Sequence, residues 1–264
     1  MDRLSGLDAS FLYFETPAHL MHVCGLLVLD PSTMPAEYRF AAIRETLRHR
    51  MESNPAFIRK LHDPLLNLDH PIWVPDDDFD IEHHVRRIAA SAPGGPRELA
   101  EVCADIAGQP LDRSRPLWEF WVIEGLADGA IAVMTKMHHA TVDGVSGANL
   151  VSTLCSLEPD APPMVEPDRS GGTMRRPSDR DIVLSGLAGI ARRPMKLARL
   201  LPGTIGALDT WIQRSRRGAA MPAPFTAPRT SLNGTITGHR SIAFARMNLD
   251  EVKEVKNALG CTVN

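Results

Sequence analysis

The residues of this chain best suited to chemistry are His138-His139-Ala140-Thr141-Val142-Asp143-Gly144, two adjacent histidines followed at short spacing by an Asp-Gly. An imidazole has a reference pKa of about 6.5, so near neutral pH it can take a proton from a hydroxyl without being fully protonated beforehand. Adjacent side chains on an extended segment point to opposite faces, so one ring faces a site while the other packs against the protein. Asp143-Gly144 adds a turn and a carboxylate that can fix the surrounding loop. A histidine in a buried sheet is more often a satisfied core residue than a base, and an HxxxD spacing does not by itself decide between the two. His83-His84, a second pair with no Asp-Gly downstream, is assigned to structure. Adjacent histidines chelate poorly, and neither HExxH nor a His/Cys cluster occurs, so no metal site is expected. The sequence holds no GxSxG elbow and no P-loop, which argues against serine covalent catalysis and nucleotide hydrolysis.

Several elements must position these histidines. Leu117 to Ile123 and Ala130 to Met137 read as strands joined by the hairpin-like connection Glu124 to Gly129, and both should be central in their sheet. The second of them delivers His138 to Asp143 onto a loop, ahead of a helix over Val145 to Leu157. Upstream, the apolar run Leu20 to Leu29 predicts a buried strand stopping at Asp30-Pro31-Ser32, and Phe40, Ile43 and Leu47 place a helix within Ala36 to Met51. Phe57 to Leu61, Ile72 to Val74 and Phe79 to Val85 read as short strands, and Pro96 opens a helix to about Ala107. This alternation predicts an α/β fold, a mixed sheet with helices on its faces, up to about Leu157.

The predicted organisation is a first domain over 1–157, a linker rich in Pro and Gly over 158–180, a basic amphipathic helical segment over 181–225, and the start of a second, truncated domain over 226–264. Between Asp181 and Arg217, seven basic residues face two acids, a net +5 beside apolar positions such as Ile182, Leu184, Leu187 and Leu197. That composition suits an anionic interface, and equally suits a helix pair packed on the protein with its arginines in solvent. In the last segment, Ser241 to Met247 reads as a strand and Leu249 to Leu259 as a helix.

Composition narrows the classes. With 264 residues, 44% of them hydrophobic, the chain can bury a sizeable core. A formal charge of -3 creates no field that would gather nucleic acid. Cys24, Cys103, Cys155 and Cys261 lie far apart and read as buried thiols of a cytosolic protein. The early acids Asp2 and Asp8 precede no leader-like apolar run, and charges or prolines interrupt every stretch long enough to span a bilayer.

HHATVDG matches the HHxxxDG signature of the CoA-dependent acyltransferase superfamily, which condensation domains share. The opening LSGLDASFLYFET, the stretch Met21 to Leu29, Pro110 to Trp118 with its Pro116-Leu117-Trp118, and PRTSLNG at Pro228 to Gly234 narrow the match. Through these segments the chain resembles the N-terminal half of the bacterial wax ester synthase/diacylglycerol acyltransferase family.

The resemblance implies a chloramphenicol-acetyltransferase-like fold with an incomplete second domain, since the family's Asn-Asp motif begins where this chain has Asn264. It implies direct transfer of a long-chain acyl group from acyl-CoA, a substrate rather than a cofactor, to the hydroxyl of diacylglycerol or a fatty alcohol. His139 would be the general base; His138 and Asp143 would support the loop, Asp143 paired with an arginine. The implied partners are the lipid substrates, the missing C-terminal half and a peripheral membrane or lipid-droplet surface, in the cytoplasm or on the inner face of the cell membrane. The alternative implication is a non-catalytic lipid- or membrane-binding half that needs a C-terminal partner chain. Pro116, Leu117 and Trp118 read as well as core packing and are not assigned to catalysis.

Overall fold

The structure, a computed structural model, describes residues 2–34, 37–64, 69–142, 178, 180–189, 191, 206, 212–213 and 228–263. Two sheets organise them. The larger has four strands in the order β2-β7-β6-β5, formed by β2 (His22–Leu29), β7 (Ile131–His138), β6 (Trp118–Glu124) and β5 (Val85–Ala89). It is mixed, because β5 runs parallel to β6 while the other pairs are antiparallel. The smaller sheet, entirely antiparallel, is β1 (Asp2–Arg3), β4 (Ile72–Pro75) and β3 (Arg59–His62) in the order β1-β4-β3.

Every residue of β7 is buried because the sheet is covered on both faces there, and the period of two divides the strand between two cores; β2, predicted as buried, is an edge strand that leaves Val23, Val28 and Leu29 exposed. Ala132 and Met134, with Ile123 of β6, pack against Leu99, Cys103 and Ile106 of helix α3 (Pro96–Ala107). Met137, with Trp118 and Phe120 of β6, packs against Leu47 and Met51 of helix α2 (Phe40–Glu52). β6 and β7 are the two central strands, as their apolar runs predict. Helix α3 begins at Pro96, whose missing N–H costs nothing in a first turn, and Glu98 reaches back to accept the Gly95 N–H at 2.8 Å.

A third apolar cluster joins the two sheets near the histidines. Helix α1 (Gly6–Phe14) buries Ala9 and Leu12 against Trp73 of β4, Leu117 and Ala140. Ser5 caps its N-terminus, accepting the Asp8 N–H at 3.1 Å. Sequence periodicity misses this helix: its apolar residues fall on two sides, so the pattern of a single buried face is absent.

Other expectations need correction. Phe79–Val85 is not one strand: Asp80 accepts the Glu82 N–H and winds Ile81–His83 into a 3-10 turn before β5 starts at Val85. Ser241–Met247 forms no strand, because a strand exists only by pairing and no described backbone lies in register with it. Its Ile242 instead packs beside α3. Helix α5 (Leu249–Leu259) has its expected bounds, capped by Asn248 and ended by Gly260 at φ 62°, a left-handed conformation that glycine adopts readily. Of the cysteines described, only Cys103 is buried; Cys24 lies on edge strand β2 and Cys261 follows α5, and both are exposed. The predicted helix over 145–157, and most of the predicted linker and basic segment, lie outside the described residues. Of the basic segment, Ile182 is buried against Ile72 and Val74 of the small sheet.

Candidate active site

Strand β7 ends at His138, and His139 opens the short helical turn α4 (His139–Val142). The rungs of the β2–β7 ladder fix this end: His22 lies opposite His138, and the His139 N–H continues the pairing by donating to the Met21 carbonyl at 2.9 Å. The two rings therefore leave the sheet in different environments. His138 is 1% exposed, on the α3 face of the sheet, whereas His139 is half-buried.

The environment of His138 sets its protonation. Its Nδ1 accepts the Ala140 N–H at 3.0 Å, so the neutral ring carries its proton on Nε2. Burial pushes its pKa down to about 4; Glu15 opposes that shift, while Arg113, His22 and His139 add to it. Near neutral pH the ring is thus an uncharged structural group turned away from solvent. Its Nε2 lies 3.7 Å from a Glu15 carboxylate oxygen, beyond hydrogen-bond range.

The His139 ring stacks on Phe11 of α1, with centroids 4.7 Å apart and planes within 17°. Phe11 belongs to the second apolar side of α1, which also carries Leu7 and Phe14 at helical spacing, 63% and 68% exposed. The half-buried imidazole therefore sits beside an open apolar strip. Asp143, the third residue of the motif, lies outside the described residues.

Four residues that the motif does not contain surround the histidines: Phe11, Glu15, Met21 and Arg113. Glu15, next after α1 in the chain, pairs with Arg113 at 2.6 Å, and the Arg113 guanidinium also donates to the Leu12 carbonyl at 2.8 Å. Burial opposes ionisation of Glu15, but the hydrogen bonds from Arg113 and the Met21 N–H, with the nearby positive charge, hold its carboxyl below the usual range. Glu15 lies in the segment LSGLDASFLYFET and Arg113 in the segment ending Pro116-Leu117-Trp118. Spacing could not have joined them, since 98 positions separate the pair.

Beneath α3, on the His138 side of the sheet, lies a further polar row. The His22 ring bonds to the Ala107 carbonyl at 3.0 Å, and Lys136, 1% exposed, lies 3.5 Å from Glu119. Burial pushes the Lys136 pKa down, with Glu119 opposing. Leu117 and Trp118 are core residues, the Trp118 indole N–H donating to the Phe57 carbonyl at 2.7 Å. His84 is buried against Trp118, its Nδ1 2.7 Å from the Trp118 carbonyl, while His83 meets Asp80 at the surface. Among the described residues no group of three or more His, Cys, Asp or Glu side chains could hold a metal ion. PRTSLNG includes the 3-10 turn Ser231–Asn233, capped by Thr230 and far from buried.

Comparison with known proteins places this architecture. A protein of Mycobacterium tuberculosis (strain ATCC 25618 / H37Rv) named for diacylglycerol O-acyltransferase activity is 52% identical over 266 residues, covering 100% of this chain and 52% of its own length. A shorter protein of the same strain, also named for that activity, is 33% identical over 270 residues, covering 98% of this chain and 97% of itself. The chain therefore spans about half the length of the longer relative and nearly all of the shorter one. The solved wax ester synthase/diacylglycerol acyltransferase from Marinobacter aquaeolei VT8 superposes with a TM-score of 0.65 at 32% identity, over 100% of this chain and 56% of that one. Residues 4–264 match the family model described as the wax ester synthase/diacylglycerol acyltransferase catalytic domain. With a match of that extent, the chain belongs to the wax ester synthase/diacylglycerol acyltransferase family.

Proposed function

We propose that this chain carries the catalytic base of an O-acyltransferase that moves a long-chain acyl group from acyl-CoA to the hydroxyl of diacylglycerol or of a fatty alcohol. The observation that carries the reading is the unequal pair of histidines: His138 is sealed and uncharged, while His139 opens a helical turn beside the apolar strip of Leu7, Phe11 and Phe14. His139 takes the acceptor's hydroxyl proton as its oxygen forms a bond to the thioester carbonyl carbon. The tetrahedral intermediate then breaks its carbon–sulfur bond, and the imidazolium returns the proton to the departing thiolate, leaving ester and free CoA. No acyl-enzyme is needed. Holding the hydroxyl and the thioester together replaces a bimolecular encounter by a positioned one, and the base supplies part of the remaining rate. His138 and Asp143 support the turn that carries His139.

An acyl-CoA and diacylglycerol turnover assay on this chain, with and without the C-terminal half of a longer relative, tests the reading. Ester formation that His139→Ala removes supports the base. Equal activity of wild type and His139→Ala rejects it.

A further inference from the structure

We propose that Glu15, held by Arg113, is the positioning residue for His139, acting through the backbone of Met21. The proposal rests on His139 being the base. Glu15 has a side chain only 10% exposed, and its two carboxylate oxygens serve different partners. Oε1 accepts the Met21 N–H at 3.2 Å. Oε2 accepts both the Arg113 Nη2 and Nε, at 2.6 and 3.2 Å. The Met21 carbonyl, one Cα further along the backbone, completes the path by accepting the His139 N–H at 2.9 Å. Arg113 also grips the Leu12 carbonyl near the end of α1. That ties the carboxylate to the helix whose Phe11 stacks on the His139 ring. Backbone and ring of His139 are thus referred to one point, the Glu15–Arg113 pair, from two directions.

Without this carboxylate, the stretch from Thr16 to Met21 would be held by the reciprocal Thr16–His19 backbone bonds and by Arg240 on the Ala18 carbonyl. Neither bond reaches Met21, so this end would keep the adjoining β2–β7 rungs but lose the side-chain anchor on the Met21 N–H. Only a carboxylate meets both demands. A glutamine of the same size has one acceptor oxygen and one donor nitrogen, so it must aim an N–H at the Met21 N–H or at the Arg113 guanidinium. Arg113 belongs to the same device because its planar fork reaches Glu15 and the Leu12 carbonyl at once, which an ammonium cannot do with equal geometry.

The test has two arms, so that failure of this proposal and failure of the catalytic reading are distinguishable. In the first arm, steady-state kinetics compare wild type, Glu15→Gln, Arg113→Lys and the double variant in the chain form that turns over. A base displaced by about 1 Å is expected to lower kcat by roughly 10- to 100-fold, with KM within about twofold and no further loss in the double variant. In the second arm, histidine-selective NMR of the chain reads the ring signals of His138 and His139 without any substrate. Both sets of signals are expected to move in Glu15→Gln, with those of the adjoining His22, while the distant His49, His83 and His84 stay in place. A variant kcat within about twofold of wild type overturns the proposal, and so do unmoved His139 signals whatever the kinetics show. Should Glu15→Gln fail to fold, Arg113→Lys, on a half-exposed side chain, carries both readings. If His139→Ala proves fully active, the catalytic reading falls, and the NMR arm still decides whether Glu15 positions that ring.

Discussion

At the scale of single residues, the two histidines differ in what a proton would cost. His138 holds a pKa of about 4 when folded, against about 6.5 in an unfolded chain. Between those values the unfolded state binds the proton and the folded state does not. The stability tied to this ring is therefore complete above about pH 6.5 and is lost as pH falls through about 4, a span worth about 3 kcal/mol. His22 and His84, both lowered chiefly by burial, add to the same slope. Urea unfolding at about pH 7.5 and about pH 4.5 is expected to show a large fall for wild type and a smaller one for His138→Asn. His139→Ala should behave differently. It removes a half-buried ring at the sheet's end, so the urea midpoint should hardly move while kcat falls by at least about 100-fold in the assay described above. A midpoint that collapses with His139→Ala would make that ring structural.

At the scale of elements, Trp118 and α1 show how secondary structure serves the site. Trp118 is fully buried between β-strand neighbours, with its indole N–H satisfied by the Phe57 carbonyl. Trp118→Ala is expected to cost about 3–5 kcal/mol, and Trp118→Phe, which keeps most of the ring but drops the hydrogen bond, about 1–2 kcal/mol. Activity per folded molecule should remain near wild type for Trp118→Phe, measured after the folded fraction is set by circular dichroism. Helix α1 works the other way, because its exposed Leu7 and Phe14 contribute nothing to the described core. Replacing both with serine should change the unfolding free energy by no more than about 0.5 kcal/mol. Transfer of a long acyl chain should then weaken mainly through KM, while a short acyl-CoA is used as before. Equal loss with short and long donors would remove the apolar strip from the substrate path.

At the scale of the whole molecule, the question is how the chain would meet the poorly soluble lipids proposed as its substrates. No helix among the described residues is long and apolar enough to cross a bilayer. We read the basic segment from Asp181 to Arg217 as an interfacial attachment, and the burial of Ile182 against the small sheet places at least its start on the protein. Binding to vesicles containing anionic lipid should weaken as salt rises and vanish when Arg192, Arg193, Lys196 and Arg199 are neutralised. Vesicle binding that is absent at low salt would leave the segment to packing alone.

What the sequence by itself determined is the pattern that local chemistry writes. β7 was legible because its first half, Ile131–Met134, is the apolar run that burial on both faces favours, and α3 because Pro96 suits a first helical turn. The histidine pair was legible because its residue types and spacing are unusual, and the resemblance carried the family. The tertiary structure alone decided which ring is sealed, since His138 is 1% exposed beside Glu15, a residue that a seven-residue motif does not contain. It alone decided that Ser241–Met247 is unpaired, because pairing is a property of two segments and propensity a property of one. It alone joined Glu15 to Arg113 across 98 positions, and through Met21 to His139, because hydrogen bonds form between groups that folding brings into bonding distance, however far apart they lie along the chain.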